Sequence, residues 1–168
     1  MRTASDKIYR FIKDYEKFRG KLYDKDGASK TTIGYGHLVH HGKLGTNPSK
    51  EKDFLKGITE GYALELLKQD VKSKAEININ RYVKVALTQN QFDALVSLTF
   101  NIGPGNFRYS SLLAKINENK MDTETITKCF IMWNKVKQDG RKVVSPGLMK
   151  RRRQEANIFN NSVYVSAH

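Results

Sequence analysis

Negative charge, cysteine, proline and long apolar runs are all scarce in this chain. Asp and Glu number 17 against 30 Lys and Arg over 168 residues, a formal net charge of +13. A balance of that sign favours polyanions, whether nucleic acid, an anionic membrane surface or acidic cell-wall polymer; it speeds encounter and carries no chemistry of its own. The lone cysteine, Cys129, excludes an internal disulfide and a cysteine-based zinc cluster, and reads as a small buried hydrophobe. Three prolines in an ordinary composition, 39% hydrophobic and 28% charged, argue against collagen, coiled coil and bulk disorder. No apolar run approaches the ~18–20 residues of a membrane span. The opening "MRTASDKIYRFIKDYEKF" breaks its apolar residues with charge every few positions, so no secretory signal or other export address is read there.

What is present is length enough for a single domain, residues 1–168, with a substantial core. Ser5 is placed to cap a helix that reaches about Arg19 and stops at Gly20, with Ile8, Phe11, Ile12 and Tyr15 on one stripe. Glycines, Asn47 and Pro48 punctuate residues 21–57 between short apolar pieces such as "TTIGYGHLV", which predicts turns and short strands in a small β lobe over about 20–57. Thr59 is placed to cap a long helix on which Tyr62, Ala63, Leu66, Leu67, Val71 and Ala75 keep helical spacing, ending near "ININRYVKV". Further helices are predicted from Thr88 to "NIGPG", with Phe92, Leu95, Val96, Thr99 and Phe100 on the apolar face, and over 109–117. One or two more cover 123–135, and the last, 148–159, follows a turn at "QDGRKVVSPG". The expected fold class is α+β, mostly α: an N-terminal helix, a small β lobe, a long linking helix, a helical lobe over about 80–162, and "VSAH" as a loose tail.

Within "YEKFRGKLYDKDGASKTTIGYGH", Glu16 sits at the edge of the first helix's apolar stripe. Partial desolvation there favours the protonated carboxyl, which a general acid needs at neutral pH. Asp26, in the polar turn "DKDGASK", is expected to stay ionised. Two carboxyls whose surroundings separate their titrations are a glycosidase pattern: one protonates the leaving oxygen while the other activates water or attacks carbon. Thr32 is placed to hydrogen-bond that water. The same residues also describe a helix-end Glu paired with Lys or Arg, an Asp holding a turn and a strand Thr, and spacing alone leaves both readings open.

Glu16-Lys-Phe-Arg19, Tyr23, Asp26 and "TIGYGH" resemble the opening of phage-type lysozymes, glycoside hydrolase family 24, whose pattern is Glu, eight residues, Asp or sometimes Cys, five residues, Thr. "LTQNQFDALVSLTFNIGPGNFRYSSLLAKIN" is similar to that family's central helical segment, and Trp133 through "VVSPGLMKRRRQEANIF" to its carboxyl end, so the resemblance runs along nearly the whole chain. It implies a two-lobed lysozyme-like fold and hydrolysis of the β-1,4 bond between N-acetylmuramic acid and N-acetylglucosamine in bacterial peptidoglycan, generally with inversion and without a cofactor. It also implies Glu16 as general acid, Asp26 as the base that activates water and Thr32 as the water-positioning residue. One departure stands out: nine residues separate Glu16 from Asp26, while five separate Asp26 from Thr32. Eight would land on Lys25, and Asp24 has seven on each side. A one-residue insertion before Asp26 is the simplest account, with Asp24 tying down the turn; Asp24 as the base is the alternative.

The glycines of "TIGYGH" permit close approach of a sugar or a hairpin with positive φ, which makes Gly34, Tyr35 and His37 candidate substrate contacts. Asn101, Gly103 and Gly105 read plainly as a helix C-cap; in the family this turn borders the sugar cleft, which adds Asn101. His37, His40 and His41 have no acidic partner at a helical ligand spacing, so no metal is expected. Trp133 is a core residue or a sugar platform. Arg152, in the run Lys150-Arg151-Arg152-Arg153, pairs with Glu16 or belongs to a solvated helix face. The leading expectation is a monomeric phage or prophage endolysin, made in the cytoplasm without a signal peptide and acting on the wall after holin-mediated release. The alternatives are a muramidase toxin delivered by a secretion system and a degenerate murein-binding module. Any inhibitor or delivery protein stays open. Nucleic-acid binding rests on charge alone, with no reading helix or aromatic RNA motif, so no nucleic-acid partner is expected.

Overall fold

A computed structural model, describing residues 1–27 and 29–166, divides the chain into two compact units: Met1–Ile12 with Val71–His168, and Lys13–Asp70. The first helix, α1 (Asp6–Glu16), buries Ile8, Phe11 and Ile12, the stripe the sequence predicts. It ends earlier than Arg19. Lys17 turns to a left-handed φ of 59° while its N–H still reaches the Lys13 carbonyl at 2.9 Å. By Arg19 the chain is already paired as a strand, and Gly20 lies inside that strand with its carbonyl accepting the Ile58 N–H at 2.8 Å.

In the Lys13–Asp70 unit, β1 (Arg19–Asp24), β2 (Lys30–Gly34) and β3 (His37–His41) form an antiparallel sheet in that order. Its register is irregular at two points. Arg19 to Tyr23 takes four steps along β1 against two along β2, from Gly34 to Thr32. Thr31 to Thr32 takes one step along β2 against two along β3, from His40 to Leu38. Consecutive strand side chains point to opposite faces, yet Thr31, Thr32 and Ile33 are all buried, so β2 is covered on both. Short α2 (Pro48–Glu51) carries Glu51 into a buried pair with His40, Nε2 to Oε1 2.6 Å. Glu51 also accepts the Gly45 N–H at 2.9 Å. The hydrogen bond to Glu51 raises the His40 pKa, and the same bond lowers that of Glu51. One of the three histidines considered for a metal is therefore a bolt for the 42–51 loop.

Thr59 caps α3 (Glu60–Val71), its hydroxyl accepting the Tyr62 N–H at 3.2 Å. A π-helical turn, Lys72–Glu76, then leads into α4 (Ile77–Tyr82), so the "ININRY" stretch stays helical. Asn78 and Asn80 help hold it, donating to the carbonyls of Lys74 at 3.0 Å and Glu76 at 2.8 Å, while Ile79 is buried.

In the larger unit, α5 (Gln89–Ile102) and α8 (Thr123–Ile131) pack on α9 (Pro146–Asn161), with α6 (Pro104–Arg108) and α7 (Ser111–Asn117) between them in sequence. Thr88 and Gln91 close a reciprocal capping box at the start of α5. Phe92, Leu95, Leu98, Phe130, Ile158 and Phe159 are buried, the rings of Phe130 and Phe159 meeting edge to face at 6.1 Å. Cys129 is buried, as its isolation suggests.

Two expectations are corrected here. The helix over 123–135 ends at Ile131, and Lys135–Gln138 (β4) and Arg141–Val144 (β5) form a hairpin about Asp139 and Gly140, whose φ values are 49° and 76°. Two left-handed residues match the twist of the flanking strands. Trp133 is partly buried just before β4. The basic run is a solvated face only at Lys150 and Arg153. Arg151 and Arg152 are buried on the same carboxylate: Arg151 Nε lies 3.1 Å from Glu155 Oε1 and Arg152 Nε 2.8 Å from Oε2. The Ser97 hydroxyl of α5 donates to Glu155 Oε1 at 2.6 Å.

Asp93, also buried, gathers the ends of the unit. It accepts the Ser5 N–H at 3.1 Å and hydroxyl, the Gln89 amide at 2.9 Å and the Tyr164 hydroxyl at 2.6 Å. Ser5 thus starts α1 with its carbonyl, which accepts the Ile8 N–H at 3.2 Å, and spends its hydroxyl elsewhere. Burial and the bond to Asp93 push the Tyr164 phenol well up. Of the predicted tail, Ala167 and His168 lie outside the described residues.

Candidate active site

Glu16, Thr32, Gly34, Tyr35, His37 and the backbone of Asp26 all belong to the Lys13–Asp70 unit. Glu16 is the last residue of α1, and the reversal at Lys17 turns the chain immediately after it. Its side chain is 8% exposed, with the Lys25 ammonium 3.5 Å from Oε2. Gly36 has φ +83°, and a Cβ there would stand 3.1 Å from Glu16 Oε2 and 3.8 Å from Lys25 Nζ. The carboxyl therefore rests over the Gly36 backbone, in space any side chain would fill.

Gly36→Ala is accordingly expected to push the carboxyl aside by a few tenths of an ångström and to lower the rate of wall clearing by about 10-fold, short of the ~100-fold of a ~1 Å misplacement. The left-handed φ adds strain of only ~1–2 kcal/mol. A thermal melt beside a turbidity assay separates the two. Loss of activity only in proportion to loss of folded protein would deny Gly36 its role beneath the acid.

Thr32 is buried on β2, opposite Tyr23 on β1 and Leu38 on β3, and its hydroxyl donates to the Lys30 carbonyl at 2.8 Å. With the proton so placed, the oxygen still has acceptor capacity. Asp26 is the middle residue of a 3₁₀ turn, Lys25–Gly27, between β1 and β2; its side chain lies outside the described residues. Asp24, at the end of β1, accepts the Leu44 N–H at 2.9 Å and so ties the turn to the 42–47 loop.

The candidate substrate contacts fall into distinct environments. Tyr35 is buried, its hydroxyl donating to Glu60, its ring 5.7 Å from that of Phe18 and 5.3 Å from the Lys13 ammonium. Burial and the Glu60 bond hold the phenol well above its usual titration range. Both its ring and its hydroxyl thus have partners within this unit. His37 is partly exposed, with Nδ1 2.9 Å from Asp70 Oδ2 and its ring 6.4 Å from Phe54. Gly34, at φ +67°, lets β2 approach α3: a Cβ there would meet the Ala63 Cβ at 3.1 Å. Asn101 belongs to the other unit, exposed near the end of α5, where the Gly103 N–H closes the helix on the Thr99 carbonyl at 2.8 Å. Sequence reasoning passed over Lys25 and the specific demand at Gly36. The only signal for Lys25 was that eight residues separate it from Glu16, the interval at which a carboxylate was sought. Among the described residues no helix is long and apolar enough to cross a membrane.

A shielded helix-end carboxyl over a glycine turn, a small antiparallel sheet and a predominantly helical remainder make up a lysozyme-type α+β fold. Residues 13–155 match the family model described as phage lysozyme. Over 158 residues the chain is 37% identical to the endolysin of Acyrthosiphon pisum secondary endosymbiont phage 1, covering 94% of this chain and 98% of that one. The solved endolysin from Escherichia coli O157:H7 phage FAHEc1 superposes with a TM-score of 0.82 at 34% identity, covering 98% of this chain and 97% of that one. The muramidase domain of SpmX from Asticaccaulis excentricus does so at 0.77 and 28% identity, covering 95% and 98%. The chain belongs to the phage lysozyme family. It is a glycoside hydrolase, a phage-type peptidoglycan muramidase that acts on the cell wall.

Proposed function

We propose that this muramidase cuts the β-1,4 bond between N-acetylmuramic acid and N-acetylglucosamine by single displacement, with Glu16 as acid, Asp26 as base and Thr32 holding the water. The observation that carries this reading is the Glu16 carboxyl, 8% exposed at a helix end and seated over Gly36. Shielding favours the neutral carboxyl, which gives its proton to the glycosidic oxygen as the bond to C1 breaks. On the opposite face of the sugar, the Asp26 carboxylate takes a proton from water as the water oxygen joins C1. The Thr32 hydroxyl has its own proton on the Lys30 carbonyl, so its oxygen accepts the water's other hydrogen. No metal or cofactor enters any step. The likeness to endolysins supports a phage or prophage lysis role, with the enzyme released to the wall by a holin.

The test is the anomer first released from a soluble, uncross-linked glycan, followed by proton NMR before mutarotation. Single displacement yields the α-anomer. A β-anomer at the earliest time points would mean two displacements through a glycosyl-enzyme and would sink the assignment of Asp26 as a base.

A further inference from the structure

We propose that Lys25 is a positioning residue for Glu16, strengthening it as an acid and setting the alkaline edge of activity. This rests on the reading of Glu16 as the general acid. Three observations converge on Lys25. Eight residues separate it from Glu16, the interval at which the family pattern has Asp or Cys, and the one-residue shift that leaves Asp26 in register with Thr32 sets a cation directly before the base. Its ammonium is 3.5 Å from Glu16 Oε2. The ammonium and the carboxyl meet over Gly36, at 3.8 Å and 3.1 Å from where a Cβ would be.

Burial and a nearby cation pull a carboxyl in opposite directions: the first favours the protonated form, the second the carboxylate. Glu16 feels both, since its side chain is 8% exposed while that of Lys25 is 40% exposed and keeps much of its hydration. As the proton leaves for the glycosidic oxygen, negative charge grows on Glu16, and the ammonium stabilises it there. The acid delivers its proton more readily but stays protonated over a narrower range toward alkaline pH. Several other charges of this unit have contacts of their own, among them His37, whose Nδ1 is 2.9 Å from Asp70. Lys13, one turn back on α1, lies 3.7 Å from Glu60; Arg19 stacks on the Tyr23 ring at 4.4 Å; Asp24 is bonded to the Leu44 N–H.

The experiment is the pH dependence of kcat/KM on a soluble glycan for wild type, Lys25→Met, Lys25→Arg and Glu16→Gln, each checked for native folding by circular dichroism. Lys25→Met is expected to lower the acid-side plateau about 3- to 10-fold and to move the alkaline limb up by about 0.5–1 pH unit. Lys25→Arg should restore both. A uniform fall across pH with the limb unmoved makes Lys25 a mere structural tie and overturns the proposal, as does unchanged kinetics. An active Glu16→Gln would instead remove the acid assignment beneath it. An inactive Glu16→Gln with an unmoved limb in Lys25→Met condemns Lys25 alone.

Discussion

Glu16→Gln is expected to cut the clearing of chloroform-treated Gram-negative cells by at least ~100-fold, the usual worth of a general acid. Glutamine keeps the size and much of the hydrogen bonding of the carboxyl, so it still fits over Gly36, but it has no proton to deliver. Stability should change little. The ammonium facing the carboxyl is 40% exposed, and such a pair contributes little once water competes for it. A thermal melt within a few degrees of wild type, with lysis lost, is the expected pair of readings. Half the wild-type rate would take Glu16 out of the mechanism.

Asp26→Asn is expected to abolish hydrolysis nearly completely, while Asp24→Asn costs at most a few-fold. A base and the residue that orients its water must address one molecule, so the interval from base to Thr32 tolerates less change than the interval from acid to base. Asp26 keeps the five-residue interval. The backbone gives this independent support: Tyr23 and Asp24 pair step for step with Thr32 and Thr31, whereas the two surplus steps of β1 fall between Arg19 and Tyr23. An irregularity able to absorb an extra residue thus lies on the Glu16 side of Asp26. Asp24 already serves the Leu44 N–H, and an asparagine retains an oxygen for that bond. Rates on purified peptidoglycan, with circular dichroism as the folding control, distinguish the two. An inactive Asp24→Asn beside an active Asp26→Asn would place the insertion between base and Thr32 and overturn this alignment.

Much of the scaffold was legible because it is written locally. The Ile8, Phe11 and Ile12 stripe, the Thr59 cap and the glycine-punctuated strands each declare themselves within a few residues. What escaped depends on distant partners or on an unusual residue in a common conformation. Lys17 ends α1 with a left-handed φ that a glycine would have advertised. "VKQDGRKV" carries a hairpin's Asp-Gly turn, but its mostly exposed strands offer no apolar alternation to mark them. Arg151 and Arg152 look like surface charge until Ser97, more than fifty residues earlier, is seen sharing Glu155 with them. At the site, Glu16, Asp26 and Thr32 stood out through family likeness more than through spacing. The Glu16–Lys25 contact and the burial of Tyr35 are products of folding that a linear pattern does not encode.

Asp93 binds Ser5, 88 residues before it, and Tyr164, 71 residues after it, through a single carboxylate. Releasing either segment strips donors from a buried anion and so loosens the hold on the other. Fraying at one end is thereby penalised at both. The two segments should open as one cooperative event, with amide exchange near Ser5 rising and falling in step with exchange near Tyr164. A linear chain fastened this way behaves, for local unfolding, as a closed ring whose clasp is one side chain.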